Sequence, residues 1–211
     1  MKRKFTSYGG DRPCYTMPPV KVTGGFTLNP EQTNLAAGAV VPFGTMVHAD
    51  EVTRLATLIK SARVVAIGTG AKEVTLEGDE FTKPLFVVGD TVAKDLSAAL
   101  ADCPKISAVK TTDAGVEITL AKAITGLAVG DALFEVVADG TNVKLVAQPN
   151  TLTIGEGLNA EIKDELADTV IDVTRDSGNG EIYARRVPPV PASLLEGAVL
   201  KGTKIVFTQS L

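Results

Sequence analysis

The side chains that most often catalyse reactions or bind metals are scarce in this chain of 211 residues. His48 is the only histidine, and Cys14 and Cys103 are the only cysteines. A Ser-His-Asp or Cys-His system would need His48, and zinc would need His48 with cysteines or carboxylates in a spacing that is absent. We predict that His48 is a surface or turn residue, that both thiols are free, and that the chain has no catalytic residue, metal or cofactor.

Two short stretches contain residues that ligand sites use, but not in the required order. Residues 68–73, "GTGAKE", lack the spacing of a phosphate-binding loop and lie between two strand patterns, which favours a hairpin loop. Residues 172–181, "DVTRDSGNGE", gather carboxylate and amide oxygens without the order of a calcium loop. Here the glycines predict a hairpin around residues 177–180. The absence of Trp argues against a cleft that cleaves sugars.

Charge and hydropathy restrict the partners. The net charge is −4 and the sequence pI is about 5.1, so no overall positive field attracts nucleic acid. The basic start "MKRKF" is not followed by the apolar stretch of a signal peptide, and no run is long enough to cross a bilayer. We expect synthesis in the cytoplasm and neither nucleic acid nor membrane as a direct partner.

The composition favours short strands and turns, because Val, Thr and Gly are frequent while aromatic residues make up 5%. We predict a mainly β fold, either barrel-like or sandwich-like, with one to three short helices. The best helix pattern begins at Asp90 and ends at Pro104, and a further one lies in residues 158–168. Residues 50–62 fit either a helix capped by Asp50 or a hairpin that leads into a strand.

An internal repeat relates residues 72–92, "KEVTLEGDEFTKPLFVVGDTV", to residues 116–133, "VEITLAKAITGLAVGDAL". Each copy has Glu, a β-branched residue, Thr and Leu, then a loop of variable length and a Gly-Asp pair. Glycine supplies a positive φ and Asp accepts a backbone N–H, so Gly-Asp between apolar runs predicts a turn. After the second copy, Asp139-Gly140 predicts a β-hairpin.

Two similar phrases stand near the ends of the folded part. "GAVVPFGTMV" covers residues 38–47 and "GAVLKGTKIV" covers residues 197–206. Each contains Gly-Ala-Val, a short spacer and Gly-Thr before another apolar strand pattern. We interpret them as edge strands that either pair or occupy equivalent places in a sheet, which would reduce the open edges of the fold. Coincidence in a Gly- and Val-rich chain is the alternative.

The N-terminal part differs from the rest, and we divide the chain into an extended arm, residues 1–34, and a β-rich domain, residues 35–211. The arm has Gly-Gly pairs, prolines and no sustained periodicity, so it buries too little of its own surface to fold alone. We predict either a flexible leader or an arm that becomes ordered on a neighbouring chain. The residues expected to bind the partner are its large apolar side chains: Phe5, Tyr8, Tyr15, Val20, Val22 and Phe26.

The arm, the phrase "LAAGAVVPFGTMV", the Gly-Asp repeats and the ending "LLEGAVLKGTKIVF" together resemble phage capsid-associated proteins of the head-decoration and head-fibre type. The resemblance implies a β-rich homo-oligomer, with a trimer favoured, on the capsid surface of a virion made in a bacterial host. Its implied partner is the major capsid protein or another virion protein, gripped by the arm.

The resulting hypothesis is a non-enzymatic virion structural protein that decorates or stabilises a phage capsid. The alternative is a ligand-binding or adhesin-like β-domain that recognises carbohydrate or a cell surface. A small hydrolase with an unrecognised site is a third possibility.

Overall fold

The computed structural model describes residues 14–78, 83–112, 115–154, 161–174 and 179–208. It is mainly β, which confirms the predicted fold class, and the helices in the described part are short 3₁₀ turns. They are Leu100–Asp102, Leu166–Asp168, Ala184–Arg186 and Ala192–Leu194. None of the helices in these residues is long and apolar enough to cross a membrane.

The described strands are β1 Tyr15–Met17, β2 Phe26–Leu28, β3 Met46–Asp50, β4 Leu55–Ile59, β5 Ser61–Ile67, β6 Glu73–Leu76, β7 Val92–Ala93, β8 Ile106–Thr112, β9 Gly115–Leu120, β10 Ala132–Asp139, β11 Asn142–Leu145, β12 Thr151–Leu152, β13 Val170–Ile171, β14 Asn179–Tyr183, β15 Leu195–Glu196, β16 Val199–Leu200 and β17 Lys204–Thr208.

A small barrel occupies the middle of the chain. Its strands follow the order β10-β5-β6-β9-β8, and β7 pairs with β10. The barrel closes between β7 and β8, because the Val92 N–H donates to the Pro104 carbonyl at 3.0 Å and Thr91 bridges Lys105. β11 extends β10 as the hairpin predicted at Asp139-Gly140, where Gly140 has a φ of +64°. The interior is filled by buried apolar side chains: Ala62, Val64, Val74, Leu76, Phe86, Val92, Ile106, Val116, Ile118, Leu120, Ile124 and Leu133.

The two repeat copies form the two halves of this barrel. β6 and β9 are antiparallel neighbours, and Val74 faces Ile118, its counterpart in the repeat. Ala93 faces Phe134 between β7 and β10, and each lies three residues after a Gly-Asp aspartate. When residues of equivalent position face each other in two separate strand pairs, the halves are related by a two-fold axis through both pairs. The barrel therefore has an internal pseudo-two-fold axis.

The Gly-Asp turns have the same geometry in both halves; we call residues 87–90 turn 1 and residues 128–131 turn 2. Each aspartate carboxylate accepts the N–H three residues earlier, at 2.8 Å in turn 1 and 2.9 Å in turn 2. Each glycine N–H donates at 2.8 Å to a strand carbonyl, that of Ile106 for turn 1 and Val64 for turn 2. The φ angles are +99° and +95°, a region that favours glycine. Gly-Asp thus specifies the turn locally.

Two further sheets flank the barrel. The first has the order β1-β14-β17-β16-β15, with β14 and β17 parallel. The other has the order β12-β3-β4-β2-β13, with β2 and β4 parallel. In this second sheet, two side-chain amides form hydrogen bonds with strand backbone, as a neighbouring strand would. Gln32 both accepts from and donates to the backbone of Leu58, and Asn150 does the same for Ala49. These amides satisfy polar backbone groups that the short strands leave unpaired.

Residues 50–62 form the hairpin and not the helix. The Asp50 carboxylate accepts the Val52 N–H at 2.9 Å and the Thr53 hydroxyl at 2.8 Å, and Arg54 has a φ of +58°. The hydrogen bond from Val52, followed by that from Thr53, lowers the pKa of Asp50. This turn reverses the chain between β3 and β4, which pair along their full length. Residues 68–73 form the expected hairpin loop, in which the Gly68 N–H donates to the Glu73 carbonyl at 2.7 Å.

The two similar end phrases share a local turn but not a sheet. In each, the Thr after Gly donates its hydroxyl at 2.8 Å to the carbonyl three residues earlier, Thr45 to Pro42 and Thr203 to Leu200. The glycines before them have φ angles of +76° and +77°. The strands that follow, β3 and β17, lie in different sheets, so the phrases do not pair as one interpretation expected.

Three local expectations are wrong in the described residues. The helix from Asp90 to Pro104 is absent, because Val92 and Pro104 pair as barrel backbone and only Leu100–Asp102 is helical. In residues 158–168, the described part contains only the 3₁₀ turn Leu166–Asp168, and residues 158–160 lie outside the described ranges. Residues 175–178 lie outside the described ranges, but the strands on either side, β13 and β14, belong to different sheets, so they do not pair as the hairpin expected around residues 177–180.

Candidate partner-binding surface

The first described strand lies at the edge of the first sheet. Among the described strands, β1 pairs only with β14, through Tyr15 opposite Ile182 and Met17 opposite Glu181. The Tyr183 N–H donates to the Cys14 carbonyl at 2.9 Å, and the Thr16 hydroxyl donates to Glu181 at 2.7 Å. The chain from Cys14 onward is therefore attached along one side of the sheet.

The side chains of this edge point in two directions. Tyr15 packs toward the core, and its ring centroid lies 5.8 Å from that of Phe43. Met17 is 42% exposed and Val20 is 46% exposed. We call Met17 and Val20, with the backbone of residues 14–20, the N-terminal edge. Exposed apolar side chains near an open strand edge are features that partner proteins use.

The rest of the expected arm belongs to the core, which corrects the boundary at residue 34. Phe26 is buried in β2, and the Arg54 guanidinium lies 4.1 Å from its ring centroid. Val22 is half-buried against the same core, and its N–H donates to Val173 at 3.0 Å. The spacing of these residues looked irregular, but Gly25, with a φ of +63°, turns the chain so that a three-residue strand is buried. Phe5 and Tyr8 lie outside the described residues.

Two exposed apolar side chains at the Gly-Asp turns were not predicted from the sequence. Val88 in turn 1 is 61% exposed, and Val129 in turn 2 is 63% exposed. The repeat predicted the turns, but the exposure of the residue before glycine follows only from the barrel geometry.

The residues singled out for chemistry are not brought together as a metal site. His48 lies on β3, and its Nδ1 is 2.8 Å from the Gln148 carbonyl oxygen. Cys14 and Cys103 are not joined to each other in a disulfide. Burial, followed by the nearby Asp102 carboxylate, raises the pKa of the Cys103 thiol. Within the described ranges, His, Cys, Asp and Glu form no group of three or more suited to hold a metal ion.

A buried charge cluster lies where the barrel meets the sheet that contains β4; we call it the junction cluster. Its members are Lys60, Asp90, Glu135 and Asn34. Lys60 Nζ is 2.7 Å from Asp90 Oδ2 and 3.9 Å from Glu135 Oε2, and the three charged side chains are at most 5% exposed. The Asn34 amide donates to both carboxylates, to Asp90 Oδ1 at 2.9 Å. Among the residues that the structure describes, Glu135 Oε2 has no hydrogen-bond partner.

At Glu135, the largest electrostatic effect is the loss of water on burial. Burial raises the pKa of Glu135; the Lys60 ammonium opposes this rise, and the Asp90 carboxylate adds to it. The sequence contained a signal for this cluster. Lys60 interrupts the apolar stretch "LATLIKSARVV", and Glu135 interrupts "ALFEVV". A lone charge within an apolar strand pattern indicates a buried ionic group that needs partners.

An open groove of about 440 Å³ lies between residues 30–37 and 163–167. Leu35 and Leu166 supply apolar surface, and Lys163, Asp164 and Glu165 supply charge. Among the described residues that line it, none is aromatic. Since proteins usually hold sugars against aromatic faces, these lining residues do not favour carbohydrate.

Comparison with protein-family models, with curated proteins and with solved structures gives no significant match to this chain.

Proposed function

We propose that the protein is a non-enzymatic structural component of a phage virion that binds the capsid surface and decorates or stabilises the shell. The observation that carries the proposal is the N-terminal edge. Met17 and Val20 are exposed on a sheet edge that is continuous, along the chain, with Phe5 and Tyr8. The partner would be the major capsid protein or another virion protein, and the protein would act as a homo-oligomer, with a trimer favoured. Its place would be the capsid surface of the virion.

Charge supports an acidic partner surface. Residues 1–13 contain four of the 21 basic and one of the 25 acidic residues, so they carry +3 on a chain of net charge −4. Because opposite charges attract over about 8–10 Å at physiological ionic strength, this basic stretch favours an acidic region of the shell. The remainder of the chain carries the excess negative charge. Only the N-terminal stretch is therefore expected to be attracted to an acidic region of the shell.

Apolar burial would supply the rest of the affinity. Full burial of a side chain such as Val or Met is worth about 1.5–3 kcal/mol. Met17 and Val20 are already partly covered, so each would contribute about 1 kcal/mol at such an interface. One contact of this size is weak. A homo-oligomer that engages several equivalent shell sites together would gain avidity by linking them.

Co-sedimentation with purified capsid shells of the phage that encodes the chain tests the proposal. The full chain should sediment with shells, and removal of residues 1–13 should weaken binding more than about tenfold, more so at low salt. A Met17→Ser, Val20→Ser double variant should bind about thirtyfold more weakly, because the two side chains together contribute about 2 kcal/mol and about 1.4 kcal/mol corresponds to tenfold. The truncation must end before Cys14, because later residues include the buried Phe26.

Val170→Ser is the matched control. Val170 is 57% exposed but lies on β13 of another sheet. It should leave shell binding unchanged. The proposal is wrong if the full chain does not sediment with shells, or if Val170→Ser weakens binding as much as the double variant.

The alternative ligand-binding function has the groove between residues 30–37 and 163–167 as its candidate site. It predicts that a Leu35→Ser, Leu166→Ser variant loses binding to a cell-surface ligand while shell binding is absent in every variant. Shell binding that depends on the N-terminal edge decides against it.

A further inference from the structure

We propose that Glu135 is held as a neutral carboxylic acid and that the junction cluster is a proton-dependent latch, which fastens the segment of residues 29–37 to the barrel. This inference concerns the fold itself and does not depend on the proposed function. It rests on the charge count of the junction cluster, on the orphan oxygen of Glu135 and on the different parts of the chain that the cluster joins.

The charge count requires a proton. The junction cluster contains one ammonium group, Lys60, and two carboxyl groups, with side-chain exposures of 0%, 1% and 5% for Lys60, Asp90 and Glu135. Lys60 is in direct contact with Asp90 at 2.7 Å but is 3.9 Å from Glu135. An ionised Glu135 would leave a net negative charge away from water, with one oxygen that has no hydrogen-bond partner among the described residues. A buried carboxyl group in such a site retains its proton.

The latch joins segments that are distant in sequence. Asp90 belongs to turn 1 and Glu135 to β10, both in the barrel, while Lys60 is the single residue between β4 and β5. Asn34 comes from the segment after β2 and donates to both carboxyl groups, and Lys60 Nζ donates to the Asn34 carbonyl. In the described elements, Lys60, Asp90 and Asn34 are the charged and polar groups that face the Glu135 carboxyl.

Loss of the proton should open the latch on one side. Lys60, Asp90 and Glu135 are fixed by barrel pairing, since the Glu135 N–H donates to the Lys60 carbonyl and the Asp90 carbonyl accepts from Ile106. Residues 29–37 contain no strand or helix. Movement of this segment is therefore the least costly way to bring water to an ionised Glu135.

The direction of the pH dependence follows from the raised pKa of Glu135. In the closed state, Glu135 stays protonated at pH values above 4.5, the ordinary pKa of glutamate. In an open state, the hydrated carboxyl group loses its proton near that pH. The closed state is favoured most below that value. Its advantage falls as pH rises, until Glu135 ionises in the closed state as well. Within this window, one proton is released on opening, so the opening equilibrium changes by about tenfold per pH unit.

Amide hydrogen exchange measures this opening. We expect the protection factors of Gln32 and Leu58, corrected for intrinsic rates, to fall by about tenfold per pH unit in the window. The Leu58 N–H donates to Gln32, so both amides report on the 29–37 segment. In Glu135→Gln the protection should lose this slope and exceed the wild-type value at high pH. Asp131→Asn, in the exposed turn 2, is the matched control and should keep the wild-type slope.

A flat wild-type profile overturns the latch, as does an unchanged slope in Glu135→Gln. If Glu135→Gln fails to fold, the carboxyl carbon of Glu135 in the wild-type chain gives an independent measurement by NMR. A titration midpoint well above 4.5 supports the neutral acid, and a midpoint at or below the ordinary value refutes it.

Discussion

Turn 1 and turn 2 have the same backbone and opposite electrostatic settings. Their hydrogen bonds agree within 0.1 Å for the aspartate carboxylate and have equal lengths for the glycine N–H. Yet the Asp90 side chain is 1% exposed and touches Lys60 at 2.7 Å, whereas that of Asp131 is 37% exposed and lies 3.8 Å from Lys94. The same motif therefore supports a buried ionic cluster in one half and a surface pair in the other.

The pseudo-two-fold axis explains how the difference arises. Each turn aspartate faces the residue that follows the other turn aspartate by four positions. Asp131 faces Lys94, which is four residues after Asp90, and Asp90 lies near Glu135, which is four residues after Asp131. A lysine at this position neutralises its aspartate directly. A glutamate cannot, so the buried half needs Lys60 and Asn34 from outside the repeat.

Removing the buried cation should give the largest difference in stability between the two halves of the barrel. Lys60→Met leaves Asp90 buried without its ion pair, and we expect a loss of about 3–5 kcal/mol in the free energy of unfolding. Lys94→Met removes the corresponding cation in the exposed half and should cost less than about 1 kcal/mol. Denaturant titrations at pH 7 measure both. Equal losses would show that burial does not distinguish the two halves.

Substitution of the turn glycines tests whether the two turns share the same backbone geometry. Gly89→Ala and Gly130→Ala place a Cβ in open space at φ values of +99° and +95°. Only backbone strain opposes these substitutions, so each variant should lose about 1–2 kcal/mol in the free energy of unfolding. The two losses should be equal. Thermal or denaturant unfolding of the two variants measures this. A difference of more than about 1 kcal/mol would show that the turns are not locally equivalent.

The smallest effect is expected when the carboxylate pair is recreated on the exposed side. Lys94→Glu places two carboxylates near each other in turn 2, as Asp90 and Glu135 are near turn 1. Because water screens both groups there, we expect a loss below about 1 kcal/mol that shrinks further in high salt. Stability measured at two salt concentrations checks this. A loss as large as that of Lys60→Met would mean that position, and not burial, sets the cost.

The repeat and its turns were predictable because their signals are local. Gly89 and Gly130 supply the positive φ, and Asp90 and Asp131 supply the acceptor, within four residues of sequence. The burial of Asp90 was not predictable from the repeat, because Asn34 and Lys60 reach it from outside. No property of the motif distinguishes the aspartate that will be covered from the one that will stay exposed.

The wrong helix has a physical explanation. Leu96 and Leu100 are spaced as on one helical face, and both pack toward Val136 and Val143. The apolar pattern was therefore real, but Val92 is fixed as barrel backbone by its hydrogen bond to Pro104. The segment between Val92 and Pro104 partly buries its leucines with only one 3₁₀ turn. Strand pairing at both ends overrides a weak helix propensity.

The N-terminal boundary was missed for a similar reason. Phe26 and Leu28 belong to a strand of three residues, too short for a periodic pattern to show. Its place between β4 and β13 depends on pairing with residues distant in sequence. Of the described residues expected to bind a partner, Tyr15 and Val20 lie at the sheet edge, whereas Val22 and Phe26 pack in the core.

Methionine oxidation most directly tests whether the N-terminal edge binds a capsid shell. Met17 is 42% exposed and Met46 is fully buried, so one chain contains both the probe and its internal control. With dilute peroxide, Met17 should oxidise quickly in the free protein and several-fold more slowly on shells, while Met46 stays reduced in both. Peptide mass spectrometry reads both sites. Equal oxidation rates of Met17 in free and shell-bound protein would contradict binding through this edge.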